Sequence, residues 1–355
     1  MKSRAKTIMS GKGRGIGKKL GAFGRVISQH KKITALCSLL LFAGAFALIF
    51  SDTYKPSEAA APPLSQLRAL NTSGLSVANQ LAPTPAQLTA FDSKVNAGGT
   101  VTIANQGDLL ALAQRVNAGN DFAGRNFELG ANIELSGSKP TYGRTAVSST
   151  VDDYFVSGSL SNVWTPIGNV NNKFRGNFDG KGFTISNMTS FESGGEGVGG
   201  TITTEAHAGL FGFVENGTIQ NLNMTNPVAI AQQQTFSQAG SVVGKTTGQV
   251  INNTVSNAIV ASGSDDSFAG GTAGSLNNSA ITLNDNDASG IIVSAGTVNQ
   301  TTQTTSPIDT LSGQAGGIVG GLGVGSSLTI DNSNFTGGTV LSNQMAGEIA
   351  FILSF

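Results

Sequence analysis

Ala239-Gly240-Ser241-Val242-Val243-Gly244 is the stretch that decides the fold, because close variants of it recur along the second half of the chain. It is one residue shorter at Ala208-Gly209-Leu210-Phe211-Gly212, and it returns at 269–274 and 315–320, with a partial copy starting at Ala346. The starting alanines are 31, 30, 46 and 31 residues apart. A near-constant period of this length is typical of solenoids, in which each repeat forms one coil.

Between the copies lie short segments in which apolar and polar residues alternate, as in Thr218-Ile219-Gln220-Asn221-Leu222-Asn223-Met224, 249–253 and 328–332. One such unit cannot bury its apolar side alone, whereas stacked units bury it in a continuous column. Glycine and asparagine at fixed offsets suit corners with positive φ, and stacked asparagines are expected to form amide ladders. The pattern predicts a right-handed parallel β-helix over residues 99–355, with an insertion within 289–312 where the spacing is longest.

The first part of the predicted solenoid contains one helix among short strands. Alternation predicts strands around 101–103, 126–129 and 132–135. Residues 108–117 place their apolar side chains on one helical face, and Asn105 precedes them as a suitable N-cap. We expect this short helix to cover the apolar end of the first coil, which would otherwise be exposed.

Residues 1–61 predict an export signal that takes no part in the fold. Ten Lys and Arg and no acidic residue lie in 2–32, and 18 uncharged, mostly apolar residues follow at 33–50. Ala59-Ala60-Ala61 resembles a cleavage site. A cleaved signal peptide and a retained membrane anchor at 33–50 both remain open, and both place the following chain outside the cytoplasm, since the basic side stays inside. The composition of 62–98, rich in Pro, Ala, Ser, Thr and Gln, predicts a flexible linker.

Charge and cysteine usage exclude several classes of function. After Ala61 there are 10 basic and 19 acidic residues, a net charge of −9. Such a body is unsuited to nucleic acid, whose phosphates require cations, and membrane contact is expected only through 33–50 if it is uncleaved. The single cysteine, Cys37, lies in the apolar leader segment, so the exported part has no disulfide and its stability must come from stacking.

Two histidines occur, of which His30 lies in the leader. His207 alone cannot form a zinc site, and the chain contains no His-Glu-x-x-His motif. A Ser-His-Asp triad would also have to use His207, which we expect to be a turn histidine. No residue is assigned a catalytic, cofactor-binding or metal-binding role.

Polysaccharide lyases and hydrolases are the enzymes to test, because parallel β-helices can carry them. Hydrolysis needs two converging carboxylates. The visible acid pairs are Asp152-Asp153 and Asp265-Asp266, but neighbours on a strand point to opposite faces. Arg175 and Lys181 near Asp179 could serve a lyase.

Two further acidic motifs have a simpler structural explanation. The segment Asp179-Gly180-Lys181-Gly182 is typical of a turn. Asp285-Asn286-Asp287 is a weak calcium-ligand pattern, and such a motif in an asparagine-rich loop is also typical of a turn. We therefore expect neither motif to form a reaction centre.

Part of the chain resembles a known family. Val163-Trp164-Thr165-Pro166-Ile167-Gly168, the segment 174–187 (FRGNFDGKGFTISN) and the repeat at 208–212 resemble the GLUG-repeat proteins, bacterial surface proteins that include adhesins and the N-terminal regions of IgA-cleaving metallopeptidases. The resemblance covers about 100–350 and is best through residue 212. It implies a right-handed parallel β-helix on the cell surface that acts in adhesion or presents another domain, and it brings no catalytic residues.

The sequence thus predicts an exported, non-catalytic bacterial surface β-helix, adhesive or stalk-like, with host or neighbouring-cell glycans or proteins as partners. A carbohydrate-active β-helix enzyme is the alternative. An ice- or surface-binding solenoid is a third hypothesis, although no regular Thr-x-Thr ladder is visible. A specific site is expected where the period breaks, at 190–205 or 289–312.

Overall fold

The structure is a computed structural model that describes residues 71–148, 151–193, 205–265, 267–277, 281–296, 313–322, 328–342 and 345–347. The predicted leader, including 33–50, lies outside these ranges, so export and cleavage stay predictions. None of the helices within the described ranges is both long and apolar enough to cross a membrane.

Most strands belong to five parallel sheets. The first coils contribute only to sheets A and B, and from Asn177 onward the successive coils add one short strand to each sheet in turn, up to the end of the described chain. Sheet A contains β2 (Val101–Ile103), β3 (Asn126–Leu129), β7 (Asn177–Asp179), β12 (Thr218–Gln220) and β17 (Gln249–Ile251), followed by the pair β22 (Ile281–Asn284) and β27 (Leu328–Asp331). Sheet B contains β4 (Ile133–Glu134), β8 (Thr184–Ser186), β13 (Asn223–Thr225), β18 (Thr254–Ser256), β23 (Asp287–Ser289) and β28 (Asn334–Thr336).

Sheets C, D and E form the remaining sides of the coil. Sheet C contains β9 (Thr189–Glu192), β14 (Val228–Thr235), β19 (Ile259–Asp265), β24 (Ile292–Ala295) and β29 (Thr339–Ser342). Sheet D contains β10 (Ala206–Ala208), β15 (Ser237–Gly240), β20 (Ser267–Gly270), β25 (Gly313–Gly316) and β30 (Met345–Gly347). Sheet E contains β11 (Phe211–Val214), β16 (Val243–Thr246), β21 (Ala273–Leu276) and β26 (Val319–Leu322).

The strand register confirms the predicted parallel β-helix and its period. Asn223 pairs with Thr254, and Ala206 pairs with Ser237, each 31 residues further along the chain. The Ala-Gly stretches lie where a sheet D strand turns into a sheet E strand. Glycine is required there because a Cβ on Gly270 would be 2.0 Å from the carbonyl oxygen of Ala273.

Asparagines at the corner between sheets A and B confirm the predicted amide ladders. Asn221 and Asn252 both have positive φ, and the Asn252 amide donates to Oδ1 of Asn221 at 2.7 Å. One residue further along, Asn253 and Asn286 point inward and are buried. The Asn253 amide donates to the carbonyl oxygens of Ile219 and Ile251 and to Oδ1 of Asn286, so the inner ladder satisfies corner backbone groups that would otherwise be buried without partners.

Two helices close the N-terminal end of the solenoid. The predicted helix is confirmed as α2 (Gln106–Asn117), and the Asn105 side chain accepts from the backbone N–H of Asp108 at 3.1 Å. A second helix, α1 (Pro85–Asn96), contacts α2. Its Phe91 is buried and stacks on Phe127 of β3 at 6.5 Å, which joins the helices to the apolar column of the coils.

The prediction of a flexible linker over 62–98 is wrong for the part that the structure describes. Residues 71–77 form β1 (Asn71–Val77), which pairs with β6 (Val151–Leu160), and α1 follows. Helix α1 begins at a capping box in which the Thr84 side chain accepts from Gln87 N–H and the Gln87 side chain accepts from Thr84 N–H. The composition concealed the helix because Phe91 is its only fully buried side chain.

A small side sheet, which the sequence did not predict, lies against the outside of sheet C. Strand β5 (Thr141–Ser148) pairs antiparallel with β6, and β1 adds to the other edge of β6. Val156 of β6 packs on outward-facing residues of sheet C, forming a second apolar cluster with Val228, Ile230, Ile259 and Ala261. The side sheet therefore covers outward-facing apolar residues of sheet C that would otherwise be exposed to solvent.

The coil length varies mainly at the corner between sheets C and D. Phe236 alone connects β14 to β15, whereas residues 193–205 and 296–312 connect the equivalent strands of two other coils. Strand β24 keeps its register with β29, which places the predicted insertion after Ala295. Residues 297–312, including the polar run 299–306, lie outside the described residues.

Candidate binding surface

His207 of β10 is buried and engaged in an ionic cluster. Its Nε2 lies 2.8 Å from Oε2 of Glu205, and the Lys245 ammonium lies 2.6 Å from the same oxygen. The hydrogen bond from His207, with that from Lys245, lowers the pKa of Glu205 to about 2 against the opposing effect of burial. Burial in turn lowers the pKa of His207. The histidine is thus a buried strand residue paired with a carboxylate two residues before it, rather than the turn histidine that the sequence predicted.

The ionic cluster continues along sheet E through an aromatic ring. The Lys245 and Lys173 ammonium groups lie 5.2 and 5.3 Å from the centre of the Phe213 ring, within the range of cation–π attraction. Lys173 also pairs with Glu215 at 3.1 Å, and Glu215 pairs with Arg175. Glu215 is therefore held by two cationic side chains, and Glu205 by one cation, Lys245, together with the His207 ring.

Asp179 occupies the turn that the sequence predicted. Its carboxylate accepts from the Asn221 amide at 3.0 Å, from the Gln220 amide at 3.0 Å and from the backbone N–H of Lys181 at 2.8 Å. Burial raises and these hydrogen bonds lower the pKa of Asp179, and the net direction is downward. Arg175, a basic residue of the lyase hypothesis, forms ion pairs with Glu215 and Asp121. Arg175 and the acid Asp179 therefore have different partners.

The acid pairs of the hydrolase hypothesis are only partly described. Asp152 and Asp153 lie in β6, opposite Ala146 and Thr145 of β5, and Asp265 ends β19. The side chains of these three residues and the whole of Asp266 lie outside the described part of the chain. Their role as converging carboxylates stays a hypothesis.

Asp285-Asn286-Asp287 forms the A–B corner of one coil, as the turn prediction requires. Asp285 has a positive φ and accepts from the Asn332 amide at 2.6 Å, and Asp287 accepts from the Asn334 amide at 3.0 Å. Asn286 points into the core. Within the described ranges, no three His, Cys, Asp or Glu side chains are placed to hold a metal ion.

Glu192, at the end of β9, is the acid with the largest rise in pKa. Burial raises its pKa to about 7. Its register partner in the next coil is Ala231, whose side chain lies in the core, so Glu192 occupies an inward-facing position on the edge strand of sheet C, where its side chain is half-buried. It is the last residue of β9, and the connection formed by residues 193–205 follows it.

Sheet B carries a regular polar surface over five coils. In each of five coils a strand of three residues buries its central side chain or packs it against the core and turns its first and third outward. These ten outward residues, called the polar face below, are exposed or half-buried. Its first row is Thr184, Asn223, Thr254, Asp287 and Asn334, and its second row is Ser186, Thr225, Ser256, Ser289 and Thr336.

The polar face has no identical Thr-x-Thr repeat in the sequence that would predict it. The triplets are Thr-Ile-Ser, Asn-Met-Thr, Thr-Val-Ser, Asp-Ala-Ser and Asn-Phe-Thr, which share hydrogen-bonding chemistry but not identity. They also start 39, 31, 33 and 47 residues apart, so only the strand register brings them into line.

An open cavity of about 390 Å³ adjoins the polar face at the A–B corner. It is lined by Asp179, Lys181, Gly182, Asn221, Asn223, Asn252 and Thr254. Asn223 and Thr254 belong to both the cavity and the polar face. The two features therefore form one continuous polar surface, in which hydroxyl and amide groups predominate.

Comparison with known proteins adds little to this description. No family model matches the chain, and no curated protein matches it. The chain is similar to the crystal structure of a "putative immunoglobulin A1 protease" from Bacteroides ovatus, at 14% identity over 71% of this chain and 84% of that chain, with a TM-score of 0.33. A TM-score this low carries no argument about function. The resemblance to GLUG-repeat proteins stays a prediction.

Proposed function

We propose that this chain is an exported, non-catalytic surface protein whose parallel β-helix is an adhesive stalk. The observation that carries the proposal is the polar face, an array of accessible hydroxyl, amide and carboxylate groups repeated over five coils. A repeated array suits many weak contacts with a surface, whereas catalysis requires a single converging centre. The basic and apolar leader supports delivery of this stalk to the outside of the cell.

The state of the charged side chains also supports a non-catalytic role. Glu215 is held by Lys173 and Arg175, Glu205 is held by Lys245 and the His207 ring, and Asp179 accepts three hydrogen bonds at its corner. Carboxylates held in this way brace adjacent coils. They are poorly placed to exchange protons with a substrate.

Attachment of whole cells tests this function. Cells that make the chain with its own leader are compared with cells lacking it for retention on mucin- and glycan-coated surfaces, and protease added outside reports surface exposure. We expect digestion of the chain on intact cells, stronger retention, and competition by the purified chain. A chain protected from external protease, or retention that does not depend on the chain, contradicts the proposal.

Polysaccharide hydrolysis is a second candidate, favoured by a specific observation at the C–D corner. Glu192 and Glu205, which flank residues 193–204, have pKa values of about 7 and about 2, and a protonated and an ionised carboxyl are what acid–base hydrolysis uses. Phe236, next to Glu205 in register, is 47% exposed with a φ of 58°. Release of new reducing ends from a polysaccharide, abolished by Glu192→Gln, would favour this function over adhesion.

A further inference from the structure

We infer that the polar face and the adjoining cavity bind a neutral, extended polysaccharide that runs along the solenoid axis. This inference rests on the proposed adhesive function and names the ligand class of its surface. It is carried by three properties of the surface, which are its chemistry, its charge and its repeat.

The chemistry of the polar face matches sugar hydroxyl groups. Seven of its ten side chains are hydroxyls of Ser and Thr, two are the amides of Asn223 and Asn334, and one is the carboxylate of Asp287. Nine of the ten groups can therefore both donate and accept hydrogen bonds. Large apolar or aromatic anchors, which carry the energy of protein–protein contacts, do not occur among the ten. A peptide strand would add to an open sheet edge, and the edges of sheet B are at its ends, not on this face.

The charge of the surface selects a neutral polymer. None of the ten described residues of the polar face is basic, and its one acid, Asp287, accepts from the Asn334 amide at 3.0 Å. An anionic glycan would meet no cation on this face. In the cavity, Lys181 lies beside Asp179, so the recess has no large excess of either charge.

The repeat of the surface selects an extended chain. Asn223, Thr254 and Asp287 are successive register partners, so like groups follow one another at the strand spacing of about 4.8 Å. Such a row can meet successive rings of a glycan with the same kind of contact. The cavity beside Asn223 and Thr254 provides a recess in which one sugar ring is held more firmly than the rest.

The decisive variant removes two hydroxyls without changing side-chain shape. Thr225→Val with Thr254→Val keeps the branched shape and the strand preference of threonine, and both positions are accessible. The matched control is Thr225→Ser with Thr254→Ser, which keeps both hydroxyls. Circular dichroism checks that both full-length variants keep the β-helix.

Binding is measured with the purified full chain on neutral cello-, laminari- and manno-oligosaccharides of two to six sugars, with polygalacturonate and hyaluronan as acidic comparators. We expect at least one neutral series to bind with affinity that rises with chain length. The double Val variant should bind it about tenfold more weakly, because the ligand loses its hydrogen bonds to two hydroxyl groups. The double Ser variant keeps both hydroxyl groups and should bind like the parent chain.

Several results overturn the inference. These are the absence of binding to every neutral series, preference for the acidic polymers, equal binding by the Val variant, or inhibition of ice recrystallisation without glycan binding. Failure of the adhesion proposal is a separate result, because glycan binding by the purified chain with unchanged attachment of cells would contradict only that proposal.

Discussion

At the scale of single residues, the corners of this β-helix depend on side-chain amides. Asn253 is fully buried, donates to two backbone carbonyls and accepts from the backbone N–H of Leu222 at 3.1 Å. In the next coil Asn286 makes the same kind of contacts with Val250 and Asn284. The buried amide therefore supplies hydrogen-bond partners to backbone groups that have no backbone partner at the corner.

Replacing Asn253 by alanine should destabilise the protein by about 3 kcal/mol, because buried carbonyl and N–H groups lose their partners. Urea unfolding measures the change. The control is Asn334→Ala, which removes an exposed amide of sheet B and should change stability by less than about 1 kcal/mol. Equal losses in the two variants would show that the inner ladder is not a special source of stability.

Glu192 predicts a pH dependence of stability of definite sign. Burial raises its pKa to about 7 in the folded protein, whereas an unfolded glutamate has a pKa of about 4.3. Between these values the folded state keeps the proton and the unfolded state has lost it. Stability should therefore fall as pH rises through this window, by up to about 4 kcal/mol from this residue, and change no further above the folded pKa.

Glu192→Gln removes this contribution, since the amide does not ionise. Relative to the parent chain, the variant should gain stability as pH rises from 4 to 8, measured by chemical unfolding at each pH. Glu134→Gln changes an exposed acid of sheet B and serves as control. A constant difference between the Glu192→Gln variant and the parent at every pH would contradict burial of this carboxyl.

Part of the corner structure could be predicted from the residue types alone. The asparagine-rich corners and their amide ladders follow from the composition of the segments near Asn221 and Asn252. The inward position of Asn253 could not be predicted, because it depends on which of two adjacent corner residues faces the core. The inward position of Glu192 and the contact of Lys245 with Glu205 depend in the same way on register between coils.

At the scale of elements, the Ala-Gly repeats are tight corners set by backbone contact. A Cβ on Gly270 would lie 2.0 Å from the Ala273 carbonyl oxygen and 2.5 Å from the Gly320 nitrogen. Both obstacles are backbone atoms, which cannot rotate away as a side chain can.

Gly270→Ala should therefore cost about 3 kcal/mol or more, and thermal or urea unfolding reports the loss. Gly263→Ala in the preceding strand is the matched control, because its Cβ would meet nothing closer than 3.9 Å. That variant should stay within about 0.5 kcal/mol of the parent chain. A tolerated Gly270→Ala would contradict the close approach of sheets D and E.

The predicted elements agree with the structure where local pattern is strong. Helix α2, its cap at Asn105 and the strands at 101–103 and 126–129 are confirmed. Helix α1 was missed because one buried Phe91 produces no clear apolar periodicity. The side sheet was missed because its partners, such as Val228 and Ile259, are outward residues of a distant part of the chain.

At the scale of the whole molecule, a 31-residue period was enough to predict the solenoid but not its surfaces. The period specifies how coils stack, and this stacking creates the polar face from triplets that have no common sequence. The insertions do not disturb it, because both leave from the C–D corner, away from sheet B. The proposed adhesive function rests on this continuity through all five coils.

The most direct test of that continuity is a distance between two ends of the polar face. Ser186→Cys and Thr336→Cys, in a Cys37→Ser background, carry spin labels that are 150 residues apart in sequence but only four strands apart in sheet B. Pulsed electron paramagnetic resonance should give one narrow distance near 19 Å, four strand spacings of about 4.8 Å. A broad or much longer distance would contradict the in-register stack, and with it the binding surface proposed here.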